Sequence, residues 1–256
     1  FNGANQLLYI TTKSPNTGAA DTITLASADD IVFGGDGGDT IDAKDGNNIV
    51  VGDHGSATFD STGQHRVVTS IDTTSGGNDT ITVSIGNDVI IGGFGSETIT
   101  STGGRDVIIG DSGRAEFNAA GVLLDAFSIS NADGDVDTIN TGMDNDLIIG
   151  GTAGDRITDA GGDNIILGDS GHATWDATAI LRAVYTTDNA VGGADTISTG
   201  TGNDLIVGGS AGDAITSTGG NNIVLGDNGQ VLFDANGLLT SVVTDDVVNF
   251  GDDSIT

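Results

Sequence analysis

The chain has no cysteine, a single proline, three histidines and only seven lysines and arginines in 256 residues. Without cysteine, disulfides contribute nothing, which suits a fold that does not depend on oxidation and leaves the compartment open. The basic residues Lys13, Lys44, Arg66, Arg105, Arg114, Arg156 and Arg182 are scattered among 37 acids, for a net charge of −30. A nucleic-acid partner or an anionic membrane surface needs clustered Lys and Arg, so both classes are excluded. No apolar run approaches the roughly 20 residues of a membrane span. His54, His65 and His172 have no recurring sequence partner, and no nucleophile–base–orienter set can be assembled. Catalytic residues are therefore not expected, and the chain is not expected to be an enzyme.

Glycine is plentiful, at 43 residues. High glycine with a strong net charge is a composition shared with disordered chains, but regular spacing argues otherwise. Gly52-Asp53-His54-Gly55 returns as Gly110-Asp111-Ser112-Gly113, Gly168-Asp169-Ser170-Gly171 and Gly226-Asp227-Asn228-Gly229, each 58 residues after the last. The aromatics Phe1, Phe59, Phe117, Trp175 and Phe233 keep the same step, as do Asp21, Asp79, Asp137, Asp195 and Asp253. The expected organisation is the end of a partial repeat at 1–20, full repeats at 21–78, 79–136, 137–194 and 195–252, and the start of the next at 253–256. Beginning and ending inside a copy, and opening on Phe, the chain is expected to be a piece of a longer protein.

Within each repeat runs a second period, of nine. Ile23, Val32, Ile41 and Val50 keep it in the first copy, and Ile81, Ile90, Ile99 and Ile108 in the second. Ile139, Ile148, Ile157 and Ile166 follow, then Ile197, Ile206, Ile215 and Val224. A helix needs apolar residues at intervals of three and four. Isolated β-branched residues separated by Gly, Asn and Asp read instead as short strand, turn, short strand. Two nines make a flattened coil, and successive coils stack about 4.8 Å apart. The fold class is accordingly all-β, a parallel β-roll or β-solenoid of 58-residue repeats, with the Ile and Val ladders inside. Each fully buried member contributes roughly 1.5–3 kcal/mol.

Six nines leave four residues over, and the remainder follows the aromatic. Ala57-Thr58-Phe59-Asp60-Ser61-Thr62-Gly63 leads into Gln64-His65-Arg66-Val67-Val68. An apolar strand, an Asx-x-x-Gly turn and a second strand predict a β-hairpin in each repeat. The alternative keeps a third coil, with Val68, Val184 and Val242 inward and Ala126 a weak member.

Gly34-Gly35-Asp36-Gly37-Gly38-Asp39-Thr40-Ile41-Asp42 reads G-G-x-G-x-D-x-U-x, with U a large apolar residue. Partial copies are Gly92-Gly93-Phe94-Gly95-Ser96-Glu97-Thr98-Ile99 and Gly208-Gly209-Ser210-Ala211-Gly212-Asp213-Ala214-Ile215. Acids fall on the same beat at Asp21, Asp30, Asp39, Asp79, Asp88, Glu97, Asp106, Asp137, Asp146, Asp155, Asp195, Asp204, Asp213 and Asp253, with Asn at 48, 164 and 222. Solvated loop acids have no reason to keep register. Stacked one coil apart, unit charges repel by on the order of 3 kcal/mol at an effective dielectric near 20. A divalent ion between them reverses the sign. Calcium takes six to eight oxygens from carboxylates and carbonyls, which glycine-rich loops ending in Asp supply. The expected ligands are Asp36, Asp39, Asp53, Asp79, Asp88, Glu97, Asp106, Asp111, Asp137, Asp146, Asp155, Asp169, Asp195, Asp204, Asp213 and Asp227. Asp53, Asp111, Asp169 and Asp227 are expected to face Asp39, Glu97, Asp155 and Asp213. Sites at Asn48, Asn164 and Asn222 are expected to be weaker or absent, and loop 25–30, which keeps no glycine, is a poor site.

These nonapeptides resemble those of the RTX family, secreted bacterial proteins whose repeats fold as calcium-loaded parallel β-rolls. The resemblance covers the nine-residue blocks of every copy and not the stretch around each aromatic. It implies calcium as cofactor, type I secretion, folding on meeting extracellular calcium, and a place at the bacterial cell surface. The long repeat is closest in kind to arrays in giant surface proteins. The expectation is a calcium-stiffened rod, an adhesin stalk, whose partners are neighbouring repeats of its own chain and a cell-surface or glycan target. The alternatives are an accessory module of a secreted polysaccharide-acting enzyme and a ligand-binding solenoid. The aromatics are expected in the hairpin core rather than as a sugar platform.

Overall fold

The computed structural model describes residues 6–13, 17–129, 134–245 and 251–256, which form three stacked β-sheets and no helix. Phe1, on the aromatic beat, lies outside the described residues. No described helix is long and apolar enough to cross a membrane.

The first sheet is parallel and includes strands Thr40–Lys44, Thr80–Ile85, Thr98–Gly103 and Thr138–Thr141. Its strands open Thr-Ile-Thr or a close variant, so one residue in two faces inward. Ile23, Ile41, Ile81, Ile99, Ile139, Ile157, Ile197, Ile215 and Ile255 stand in register along it. The second sheet, also parallel, includes Ile49–Val51, Val89–Gly93, Val107–Asp111 and Leu147–Gly151. It aligns Val32, Val50, Ile90, Ile108, Ile148, Ile166, Ile206 and Val224. The two ladders face each other in one buried apolar core.

The step between stacked residues alternates between 18 and 40. Every second coil is therefore the expected two nines, and the coil between carries an insertion. The insertion is a hairpin, which decides between the two readings of the leftover residues. Gly55–Phe59 pairs antiparallel with His65–Ser70, and Gly113–Phe117, Gly171–Trp175 and Gly229–Phe233 begin the equivalents. Neighbouring hairpins also pair, as His65–Ser70 does with Gly113–Phe117, and so build the third sheet. Turn chemistry explains the choice. Asp60 Oδ1 accepts the N–H of Thr62 at 2.8 Å, and Asn118, Asp176 and Asp234 repeat the contact at 2.8, 2.8 and 2.7 Å. The chain then turns through positive φ at Gly63, Gly121, Ala179 and Gly237.

Val68, Ala126 and Val184 do point inward, but as hairpin residues, whereas Val242 is 44% exposed on the last strand of the third sheet. They close a second core against the far face of the second sheet, where Val51, Ile91, Ile109, Ile149 and Val207 lie. The middle sheet is thus buried on both faces, which accounts for unbroken runs such as Val89-Ile90-Ile91 and Leu147-Ile148-Ile149. Phe117 is buried in this core, and Phe59, Trp175 and Phe233 pack on it.

Candidate metal centre

Each coil crosses from the first sheet to the second at one edge, here the outgoing edge, and returns at the other. Hairpins depart from the return edge. The nine-residue beat places one residue immediately before every strand at both edges. Asp21, Asp39, Asp79, Glu97, Asp137, Asp155, Asp195, Asp213 and Asp253 occupy the return edge. Asp30, Asn48, Asp88, Asp106, Asp146, Asn164, Asp204 and Asn222 occupy the outgoing edge.

Both edges share a side-chain-to-backbone ladder. The N–H of Asp39 donates to Asp79 Oδ1 at 2.7 Å, that of Asp137 to Asp155 Oδ1 at 2.8 Å, and that of Asp155 to Asp195 Oδ1 at 2.6 Å. On the outgoing edge the N–H of Asn48 donates to Asp88 Oδ1 at 2.7 Å, and that of Asp146 to Asn164 Oδ1 at 2.8 Å. The loop amide that stacking leaves unpaired is satisfied by the next coil, and Asp and Asn serve equally, whereas Glu97, whose oxygens accept no bond, breaks the return-edge ladder. The ladder is a reason for the beat that sequence reasoning missed, and it needs no ion.

The second carboxylate oxygen is another matter. Oδ2 of Asp39, Asp79, Asp137, Asp155, Asp195 and Asp213 is buried with no hydrogen-bond partner, and so is Oδ2 of Asp88, Asp146 and Asp204 on the outgoing edge. Both oxygens of Glu97 are in the same condition. On the return edge these atoms converge with glycine carbonyls. A methyl group on Gly110 would lie 2.2 Å from Asp137 Oδ2 and 2.4 Å from the Gly150 carbonyl, and one on Gly34 would lie 2.3 Å from Asp39 Oδ2 and 2.0 Å from the Gly52 carbonyl. Gly52, Gly150, Gly168 and Gly208 repeat the arrangement. Glycine is required there because the space of its missing side chain holds the acid oxygen. Among the described residues, Glu97, Asp111 and Asp137 come together with one oxygen of each within 4.8 Å of the others.

Burial is the first cause of the shifted acidities, and neighbouring carboxylates add to it. Asp79, Asp88, Asp146 and Asp213 are pushed up to about 7, Asp111 to about 8 and Asp195 to about 9. Asp155 is raised well above the ordinary range, and Glu97, buried against Asp137, is raised too. Buried acids of this kind hold a proton or a cation. The donors are carboxylate and carbonyl oxygens without sulfur or imidazole, a set that fits a hard divalent ion.

Other expected ligands already have partners. Asp53 takes the N–H of Gly77 on Oδ1 at 3.0 Å and that of Phe94 on Oδ2 at 2.5 Å. Asp169 does the same with Gly193 at 3.0 Å and Ser210, and Asp227 receives Gly251 N–H at 3.4 Å. These acids fasten the strand returning from each hairpin to the next coil. Asp111 accepts Thr152 N–H at 2.5 Å on Oδ2 and keeps Oδ1 free. Asp53 is an electrostatic neighbour of Asp79 and Asp39, Asp111 of Glu97 and Asp137, Asp169 of Asp195 and Asp213, and Asp227 of Asp213. Asp36 binds His54 Nε2 at 3.0 Å. Burial pushes its pKa up, but hydrogen bonds from Gly18, His54, Ser75 and Thr17 outweigh that and hold it at about 2. Asp106 Oδ2 accepts the Ser101 hydroxyl at 2.5 Å. His65 packs edge-on to Phe117, and His172 lies between Asp125 and Tyr185 on the third sheet.

The outgoing edge carries an additional, exposed ladder one residue earlier. Asn87 N–H donates to Asn47 Oδ1 at 3.0 Å, Asn203 N–H to Asp163 Oδ1 at 2.7 Å, and Asn221 N–H to Asn203 Oδ1 at 3.0 Å. Its signal in the sequence is the adjacent pair of Asn or Asp at 47–48, 87–88, 145–146, 203–204 and 221–222.

The family model described as RTX calcium-binding nonapeptide repeat (4 copies) matches residues 16–56, 73–108, 91–114, 140–174 and 189–224, more than half of the chain. The hairpin turns lie outside every matched stretch. No curated protein and no solved structure matches the chain.

Proposed function

Since the chain belongs to the family of RTX calcium-binding nonapeptide repeats, we propose that it is a calcium-stiffened rod segment of a secreted bacterial surface protein, an adhesin stalk, that folds on calcium after type I export. The observation that carries this reading is the column of buried, unpartnered carboxylate oxygens along the return edge. The proposed ligands are the acids with such an oxygen: Asp39, Asp79, Glu97, Asp111, Asp137, Asp155, Asp195 and Asp213 there, and Asp88, Asp146 and Asp204 opposite. Extracellular modules bind calcium at about 10⁻⁴–10⁻³ M. Each site at ten times its dissociation constant adds about 1.4 kcal/mol. A column of sites therefore decides folding, and a low-calcium cytosol keeps the chain unfolded for export.

The test is a far-UV circular dichroism titration with calcium from chelated protein, with magnesium as control. The expected result is a cooperative coil-to-β transition near millimolar calcium that magnesium does not produce. An equally stable β-fold in chelator overturns the reading.

A second reading, a glycan-binding solenoid, has one observation in its favour. A groove of about 810 Å³ runs between the outgoing edge and the hairpin turns, lined by Phe59, His65, Phe117, Asn145 and Trp175 among others. Trp175 is the sole tryptophan, so a saturable change in its fluorescence with soluble polysaccharide tests this reading directly, and no change rejects it.

A further inference from the structure

The beat residues of the outgoing edge fall into two chemical kinds. Asp88, Asp146 and Asp204 each keep a buried oxygen without a donor. Asn48, Asn164 and Asn222 do not. Their Oδ1 atoms accept the N–H of Asp30, Asp146 and Asp204 from the preceding coil, at 3.1, 2.8 and 2.8 Å. That contact fixes which side-chain atom is the nitrogen. The nitrogen then turns into its own loop. Asn48 Nδ2 donates to the Gly46 carbonyl at 3.1 Å and the Lys44 carbonyl at 3.3 Å. Asn164 Nδ2 donates to the Gly162 carbonyl at 3.0 Å and to Asp159 Oδ2 at 2.8 Å, with a longer contact at 3.2 Å to Asp204 Oδ1 of the next coil, which leaves Asp204 Oδ2 free. Asn222 Nδ2 donates to the Gly219 carbonyl at 3.2 Å and to Ser217 Oγ at 2.8 Å.

Loop carbonyls, carboxylates and hydroxyls are the oxygens a hard cation collects. An amide N–H presents the same partial positive charge to them without an ion. We propose that the amide nitrogens of Asn48, Asn164 and Asn222 stand in the place of the cation, so that the outgoing edge binds calcium only in alternate coils, at Asp88, Asp146 and Asp204. The return edge binds it in successive coils.

The second repeat reaches the same end with other chemistry. Asp106 holds the slot of the three asparagines, 58 residues from each neighbour in the series. Its Oδ2 is occupied by the Ser101 hydroxyl at 2.5 Å. Ser101 stands five residues before its beat residue, as Asp159 does before Asn164 and Ser217 before Asn222. A hydroxyl donor on an acid thus replaces an amide donor on a carbonyl. Where asparagine alternates with aspartate, charges stand two coils apart instead of one, which halves their mutual repulsion. This edge is laced by its own side chains and needs fewer ions.

The inference rests on the calcium reading above, and its test separates the two. Calcium bound per chain is counted by equilibrium dialysis on the whole 256-residue chain. Asn164→Asp and Ser101→Ala each raise the count by about one ion, since each frees a carboxylate oxygen in a loop of carbonyls. Asp146→Asn lowers it by about one, and Asn164→Ala, which removes the donor without adding an acid, leaves it unchanged. Unchanged counts in Asn164→Asp, Ser101→Ala and Asp146→Asn overturn the proposal while the wild-type count stands. A wild-type chain that binds no calcium overturns the calcium reading itself. If Asn164→Asp does not fold, Ser101→Ala and Asp146→Asn decide.

Discussion

The return and outgoing edges carry the same Oδ1-to-backbone ladder and part company at the other side-chain atom. On the return edge that atom is a buried carboxylate oxygen in coil after coil, packed against glycine carbonyls with no donor in reach. On the outgoing edge every second one is an amide or a hydroxyl-bonded acid, and an outer, exposed ladder through Asn47, Asn87, Asn203 and Asn221 runs one residue earlier. Register and charge are therefore separate jobs. Oxygen of either residue type holds the register, whereas only carboxylate creates a need for a cation. On the reading proposed above, one edge of the solenoid depends on ions and the other largely does without them.

The largest expected contrast is with pH in chelator. Asp79, Asp88, Asp146 and Asp213 are raised from 3.8 to about 7, Asp111 to about 8 and Asp195 to about 9, first through burial. A raised acid favours the folded state below its unfolded value and loses that contribution as pH rises through the folded value. Calcium-free protein is thus expected to be most stable below about pH 4 and to lose β-structure progressively as pH rises from there, with most of the loss complete by about pH 7 and the remainder, from Asp111 and Asp195, by about pH 9, as followed by circular dichroism. Next comes neutralisation of the return edge. Asp79→Asn, Asp137→Asn and Asp195→Asn together keep the Oδ1 ladder and remove three charges. The triple variant is expected to be more ordered than wild type in chelator, and to lose about 4 kcal/mol of calcium-dependent stabilisation at ten times the dissociation constant. Urea unfolding with and without calcium reads both signs.

Ile99→Ala falls in the core between the edges. It is expected to cost about 2–5 kcal/mol, by the same amount at any calcium concentration that permits folding. The smallest effect belongs to Asn203→Ala on the exposed outer ladder, where the N–H of Asn221 loses its acceptor. A loss of about 0.5–1 kcal/mol is expected, insensitive to calcium.

Much of this was legible in the residues. The nine-residue beat of Ile and Val is the inner core in register, and the Asx-x-x-Gly pattern after Phe59, Phe117 and Phe233 is the hairpin turn. The second core was written as plainly in runs such as Val107-Ile108-Ile109, since a strand apolar at every position is covered on both faces. It goes unnoticed when only the beat is followed. The division of labour within each acid was hidden for a physical reason. Spacing shows that Asp137 and Asn164 recur in register, but not that one side-chain atom bonds backbone while the other is left free or turns on its own loop. For the same reason Asp53, Asp111, Asp169 and Asp227 look alike in sequence, yet Asp111 alone of the first three keeps an oxygen free, beside Glu97 and Asp137.

The central claim, that ions follow the unpartnered carboxylate oxygens, is tested most directly by anomalous diffraction from crystals of the chain grown with calcium. The expected map has peaks in successive coils along the return edge, beside Asp39, Asp79, Glu97, Asp137, Asp155, Asp195 and Asp213. On the outgoing edge it has peaks beside Asp88, Asp146 and Asp204, and none beside Asn48, Asn164 or Asn222. Peaks of equal height at every beat of both edges, or an empty return edge, contradict the account.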